Sequence, residues 1–124
     1  MSAQPALDYE PSAQVTSSPV VTVPTPLHRH LEVEFRALAT HWHKETRYWS
    51  SISRMSMHPA YQRIIALGDD VIPLILRDLK QTRSHWLWAL YVLSGFYDPS
   101  PENASFDEAV DAWLAWGSAQ YGEI

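Results

Sequence analysis

The stretch His58-Pro-Ala-Tyr-Gln-Arg-Ile-Ile-Ala-Leu-Gly-Asp-Asp-Val-Ile-Pro-Leu-Ile-Leu-Arg-Asp-Leu-Lys80 contains two helices and the turn between them. Proline is tolerated at the first helical position, where its missing N–H has no acceptor to lose, so His58-Pro59 opens a helix and Gly68 closes it. Ala60, Tyr61, Ile64, Ile65 and Leu67 form its apolar face. Asp69 and Asp70 follow as N-cap residues for a further helix from Val71 to about Lys80, whose first turn accommodates Pro73. Helices joined by Gly-Asp-Asp are expected to fold back as a hairpin.

Working outward, the residues on both sides are helical too. Leu31, Phe35, Leu38, Trp42 and Trp49 recur in steps of three, four and seven, which puts one apolar stripe on a helix over about Leu31 to Trp49. A helix from near Ser84 to Gly95 follows the hairpin. A last one is opened by the capping box Ser105-x-x-Glu108 and closed by Gly117. No segment alternates with period two. The expected fold class is all-α, a compact bundle of about five helices over residues 27–124.

Residues 1–26 read differently. Five of the nine prolines fall there, among Ser, Thr, Gln and Val, and the only charges are Asp8 and Glu10. Repeated proline blocks helix and central strand, so a disordered tail is expected. It lacks the basic start and continuous apolar stretch of a secretory signal. Val20 to Val23, between Pro19 and Pro24, is a segment that could dock as an extended strand on a partner.

Composition narrows the chemistry. With no cysteine among 124 residues there is no disulfide, thiolate metal site or cysteine nucleophile. The longest apolar run, Trp86 to Leu93, has eight residues, far short of the roughly 20 that span a bilayer. The four glycines build no phosphate-binding loop, and no nucleophile elbow or zinc-protease motif is present. A non-enzymatic, cytoplasmic protein without cofactor is expected. The net charge of −5 is unevenly spread: Leu27 to Arg83 holds all nine basic and six acidic residues, whereas Ser84 onward holds six acidic and none basic.

Several residues stand out as functional candidates. Trp86 and Trp88 lie two apart and so point about 160° away from one another on a helix that is apolar all round. Such a helix is either enclosed by neighbours or shows one face to a partner or a second copy, with Trp86, Trp88 and Tyr91 as aromatic anchors. Asp107, Glu108 and Asp111 form an acidic back on the last helix, while Trp113 and Trp116 read as core. On the first helix Glu34, His41 and Glu45 share one flank and make a weak metal-ligand triad with one i, i+4 His/Glu pair. Arg36, His43, Lys44 and Arg47 share the other, the only basic flank suited to nucleic acid. His28, Arg29 and His30 sit at the junction with the tail, and His58 and His85 at helix starts. Asp78 projects beside the apolar arc of its helix and needs a donor, for which Arg54, Arg63 or a tryptophan N–H are the candidates.

The runs His58-Pro-Ala-Tyr-Gln-Arg-Ile-Ile-Ala-Leu-Gly68, Ile72-Pro-Leu-Ile-Leu76 with Leu79, His85-Trp-Leu-Trp-Ala-Leu90 with Gly95, and Ala112-Trp-Leu-Ala-Trp-Gly117 resemble a family of short, uncharacterised bacterial proteins. The likeness covers about residues 35–122. Ser94-Gly95-Phe96 departs from the Thr-Gly-Glu expected after the tryptophan helix. The middle part also looks like one HEAT-type helical hairpin, which implies a surface that meets another macromolecule. The expectation is a helical protein-interaction module, with a protein partner or self-association. A specialised form is an accessory, antitoxin or immunity-type partner of a neighbouring protein. A nucleic-acid binder using the basic flank and a metal-dependent enzyme are the alternatives.

Overall fold

A computed structural model describes residues 26–124; the rest of the expected tail, with its Val20–Val23 segment, lies outside the described residues. The described residues form six α-helices: α1 Pro26–Thr46, α2 Ile52–Ser56, α3 Pro59–Ala66, α4 Ile72–Thr82, α5 Leu87–Leu93 and α6 Phe106–Tyr121. There is no strand among the described residues, and no helix there is long and apolar enough to cross a membrane.

α1 starts at Pro26, five residues before the first residue of its apolar stripe. Phe35, Ala39, Trp42 and Thr46 are its buried positions, a helical stripe facing inward. Trp49 lies beyond the helix end at Thr46, whose hydroxyl donates back to the Trp42 carbonyl at 2.7 Å. Ser51 then caps a short helix that periodicity does not reveal, its Oγ accepting from the Arg54 N–H at 3.3 Å. This α2 ends against α1, where the Met55 carbonyl accepts from Trp42 Nε1 at 2.9 Å. His58 caps α3 through its ring, with Nδ1 accepting the Ala60 N–H at 3.0 Å.

Gly68 has φ of +90°, which lets the chain turn sharply into a short 3-10 segment at Asp69–Val71. Neither aspartate makes a side-chain cap bond; they lie in the turn itself. The two arms of the expected hairpin find their main partners elsewhere, α3 along α1 and α4 along α6. Ile72, Ile75, Leu76 and Leu79 are the inner face of α4. That helix ends at Arg83 in the left-handed region, with the Arg83 N–H on the Leu79 carbonyl at 2.8 Å.

α6 carries the full capping box, Glu108 N–H to Ser105 Oγ at 3.1 Å and Ser105 N–H to Glu108 Oε1 at 2.9 Å. It runs past the expected stop at Gly117 to Tyr121, because Gly117 is packed rather than terminal. A Cβ there would come within 2.7 Å of Leu76 Cδ1 and 2.8 Å of Ile124 Cδ1, so the missing side chain is what lets α6 lie close on α4. Gly117→Val is expected to lower stability by about 1–3 kcal/mol through overpacking against the fully buried Leu76. Gly117→Ala should lose less, since its contact strain is offset by about 1 kcal/mol of helix propensity. Urea denaturation midpoints of the two variants test the order.

Candidate interaction surface

The two tryptophans at the start of α5 have opposite fates. Trp86 is fully buried, so it is not the partner contact that the sequence allowed; its indole fills the space between α1, α3 and α4. It stacks on Tyr61 with centroids 5.4 Å apart and meets Trp42 at 4.5 Å and Phe35 at 5.9 Å. A buried indole N–H needs an acceptor, and Asp78 Oδ2 provides it at 2.7 Å. The same oxygen lies 2.8 Å from His43 Nε2 and accepts from Thr82 Oγ1 at 3.3 Å. The donors of Asp78 are thus an indole, as the sequence allowed, and a histidine from the flank read as basic. Arg63 is turned to Glu34 and Arg54 stands over Trp49.

Burial pushes the Asp78 carboxyl up, but the hydrogen bonds from His43 and Trp86, the positive charge of His43 and the Thr82 bond together outweigh it and hold the group below its ordinary value. Ser84 Oγ stands 3.5 Å from His43 Nδ1, at the outer limit of a hydrogen bond. The group joins α1, α4 and the start of α5. Tyr61 completes it from α3, its hydroxyl donating to the His85 carbonyl at 3.1 Å and accepting the Ala89 N–H at 2.9 Å. Burial raises the Tyr61 phenol far above its ordinary value, so it stays protonated.

The proposed metal triad is rearranged. Glu34 faces Arg63, 3.1 Å from its guanidinium, while His58 joins His41 and Glu45. One ligand atom from each of these three lies within 4.8 Å of the others. Their hydrogen bonding, however, fixes a different role. His58 Nδ1 accepts the Ala60 N–H and is therefore the unprotonated nitrogen, so Nε2 carries the proton and donates to Glu45 Oε1 at 3.2 Å. An ion at Nε2 would require either an imidazolate or loss of the α3 cap. The arrangement ties α1 to the start of α3.

The basic flank of α1 is divided in the same way. His43 turns inward to Asp78, and Arg36 lies 3.7 Å from Glu32, which also holds Arg77 at 3.2 Å. Arg47 stands over the Tyr48 ring. On α6, Asp107 and Asp111 both meet Arg83, at 3.3 and 3.2 Å, and Glu108 closes the capping box. All three acidic candidates therefore have intramolecular work. They remain solvent-facing.

Trp88 remains. It is 50% exposed, on the opposite side of α5 from Trp86. Its ring lies 5.6 Å from Tyr91, which in turn lies 5.4 Å from Phe96, itself 65% exposed. The last contact belongs to a helix stop: the Phe96 N–H bonds the Tyr91 carbonyl at 2.7 Å and the Gly95 N–H bonds that of Val92 at 3.2 Å. This is a Schellman arrangement with its usual apolar contact between the residue beyond the turn and the last helical turn. Phe96 sits at φ +66°, a region costing a bulky residue about 1–2 kcal/mol. Sequence reading found Trp88 and Tyr91 but not Phe96. Gly95 followed by an aromatic residue was the available signal. Exposed Ile52 of α2 stands near Trp88 across a small hollow also lined by His85 and Phe106.

The chain matches no protein-family model, no curated protein and no solved structure.

The depressed Asp78 carboxyl ties stability to acid pH. The folded group binds its proton less readily than the unfolded one, whose ordinary value is 3.8. Its contribution is therefore complete above that value and fades as pH falls through the lower folded value. Asp78→Asn is expected to flatten the acid limb of a stability–pH profile from urea melts. At neutral pH it should cost about 1–3 kcal/mol, through weaker bonds to Trp86 and His43.

Proposed function

We propose that the protein is a small helical protein-interaction module whose contact surface is the outer face of α5 and the turn that follows it. The observation supporting this reading is the aromatic ridge Trp88, Tyr91 and Phe96, displayed on a helix that Trp86 anchors in the core. Aromatic side chains on rigid elements supply large contact area at small entropic cost, and they are the residue types that dominate binding energy at interfaces. An exposed phenylalanine in the left-handed region adds to this, since its contact with Tyr91 leaves most of the residue in solvent.

The chemistry of the partner follows from charge. From Ser84 onward the chain carries six acidic and no basic residues, so the ridge is set in an acidic half. A basic protein surface suits it electrostatically. An accessory role of the antitoxin or immunity type, toward a basic partner, is the specialised form of this reading. The likeness to the bacterial family rests on the motifs alone and adds no activity.

The test uses the full chain as an affinity bait, with light scattering to read self-association. Trp88→Ser and Phe96→Ser should each abolish recovery of the partner, or reduce the chain to monomer, with helical circular dichroism unchanged. Val33→Ser, at another exposed apolar residue on α1, should leave binding intact. Equal binding by all three variants would remove the ridge as the contact. Trp86→Ala should instead lower stability by about 3–5 kcal/mol in denaturant melts, because it empties a core position.

A further inference from the structure

Beside Trp88 also lies a pocket of about 240 Å³ that Ile52 does not line. Leu87, Ala109 and the nearly buried Trp113 line it with apolar surface, Trp88 and Tyr91 add aromatic rings, and Asp98 and Ser100 add polar groups. Asp98 is exposed, and its position is set by its own loop: Oδ1 accepts the Ser100 hydroxyl at 2.6 Å and the Ser100 N–H at 3.0 Å. Those two bonds also hold the carboxyl below its ordinary value. Asp98 makes no ion pair among the described residues, and no lysine or arginine follows Arg83 in the chain. Arg83 itself is taken by Asp107 and Asp111.

An anion without a counter-ion beside aromatic rings is the chemistry that receives an organic cation. The ring faces attract a positive charge through their quadrupoles, the carboxylate attracts it directly, and the apolar lining accepts the methylenes of its stem. A neutral apolar side chain would fit the lining but would make no use of the Asp98 carboxylate. We propose that this pocket receives a lysine or arginine side chain of the polypeptide partner. The inference rests on the interaction reading above and assigns Asp98 as the residue that selects for positive charge, with Trp88 and Tyr91 as the surface over which the cation sits.

The experiment follows the indole N–H signals of the full chain by NMR, with those of Trp88 and Trp113 assigned through Trp88→Phe and Trp113→Phe. The probes are Nα-acetyl-lysine methylamide, Nα-acetyl-arginine methylamide and the neutral Nα-acetyl-norleucine methylamide. At least one basic probe is expected to shift the Trp88 and Trp113 signals saturably, with Kd of about 1–10 mM for so small a fragment. The norleucine probe should not, and Asp98→Asn, which keeps the acceptor for Ser100, should weaken the basic probe by about fivefold or more. Equal shifts from norleucine, unchanged affinity in Asp98→Asn, or no saturable shift from either basic probe would each overturn the assignment. Partner recovery separates the two claims. If Trp88→Ser abolishes recovery while the basic probes fail, the ridge stands without the pocket. If Trp88→Ser leaves recovery unchanged, the interaction reading itself fails.

Discussion

The indole N–H of Trp86 is the constraint on which the arrangement of this protein turns. A tryptophan gains much from burial, but only if its one polar atom keeps a partner, because an orphaned N–H in the interior costs about 1–3 kcal/mol. Asp78 meets that need at 2.7 Å and brings a need of its own, since a carboxylate withdrawn from water requires compensation. His43, 2.8 Å from the same oxygen, supplies it from a third element. Each group thus answers the cost of burying the one before it, and the sequence of requirements ties α1, α4 and the entry to α5 together. Removing Asp78 leaves the Trp86 N–H and His43 Nε2 without their shared acceptor, which is why a half-buried polar cluster holds the geometry of an otherwise apolar core.

That cluster fixes more than the core. Once Trp86 is locked at the entry to α5, the helical repeat leaves no choice for Trp88, which must point roughly the other way. The Tyr61 hydroxyl strengthens the lock by bonding the backbone on both sides of the tryptophan, at His85 and at Ala89. The ridge of Trp88, Tyr91 and Phe96 therefore takes its backbone position from interactions on the opposite side of the helix, which lowers the backbone ordering that the proposed contact would cost.

The helical class, the capping box at Ser105, the α3 start at His58 and its buried residues Ala60, Tyr61 and Ile64 were all legible in the sequence, because each is a local pattern whose meaning does not depend on distant contacts. What was not legible depended on tertiary partners. Five-residue α2 is too short to show a period, and its single cap, Ser51, is one serine among several. Gly117 has the local signature of a helix stop, yet it lies in the middle of α6 because Leu76 and Ile124 occupy the space its side chain would take. Gly-Asp-Asp marks a turn correctly but cannot say which neighbours the two arms choose. The tryptophan pair shows the boundary most clearly: spacing established that Trp86 and Trp88 diverge, while only the acceptor on α4 decided which one went inside. The weak metal-ligand flank was divided for a related reason, since helix periodicity placed Glu34 with His41 and Glu45 but could not see Arg63 or His58 arriving from the α3 segment.

The division of charge acquires a physical sense in the folded chain. Four of the nine cations are spent internally: Arg36 and Arg77 on Glu32, Arg63 on Glu34, and Arg83 reaching across to Asp107 and Asp111. At a solvated surface such pairs contribute little to stability. Their consequence lies instead in what they leave over. Arg83 compensates the first turns of α6, and beyond it no cation is available to the loop between α5 and α6. Asp98, Glu102, Glu108 and Glu123 have no ion pair among the described residues, and of these Asp98 is the one that lines the pocket beside Trp88 and Tyr91. In the proposed interaction a carboxylate at that place would draw a cationic side chain toward exposed aromatic area, so that electrostatics would favour a basic partner and the ridge would supply the contact area.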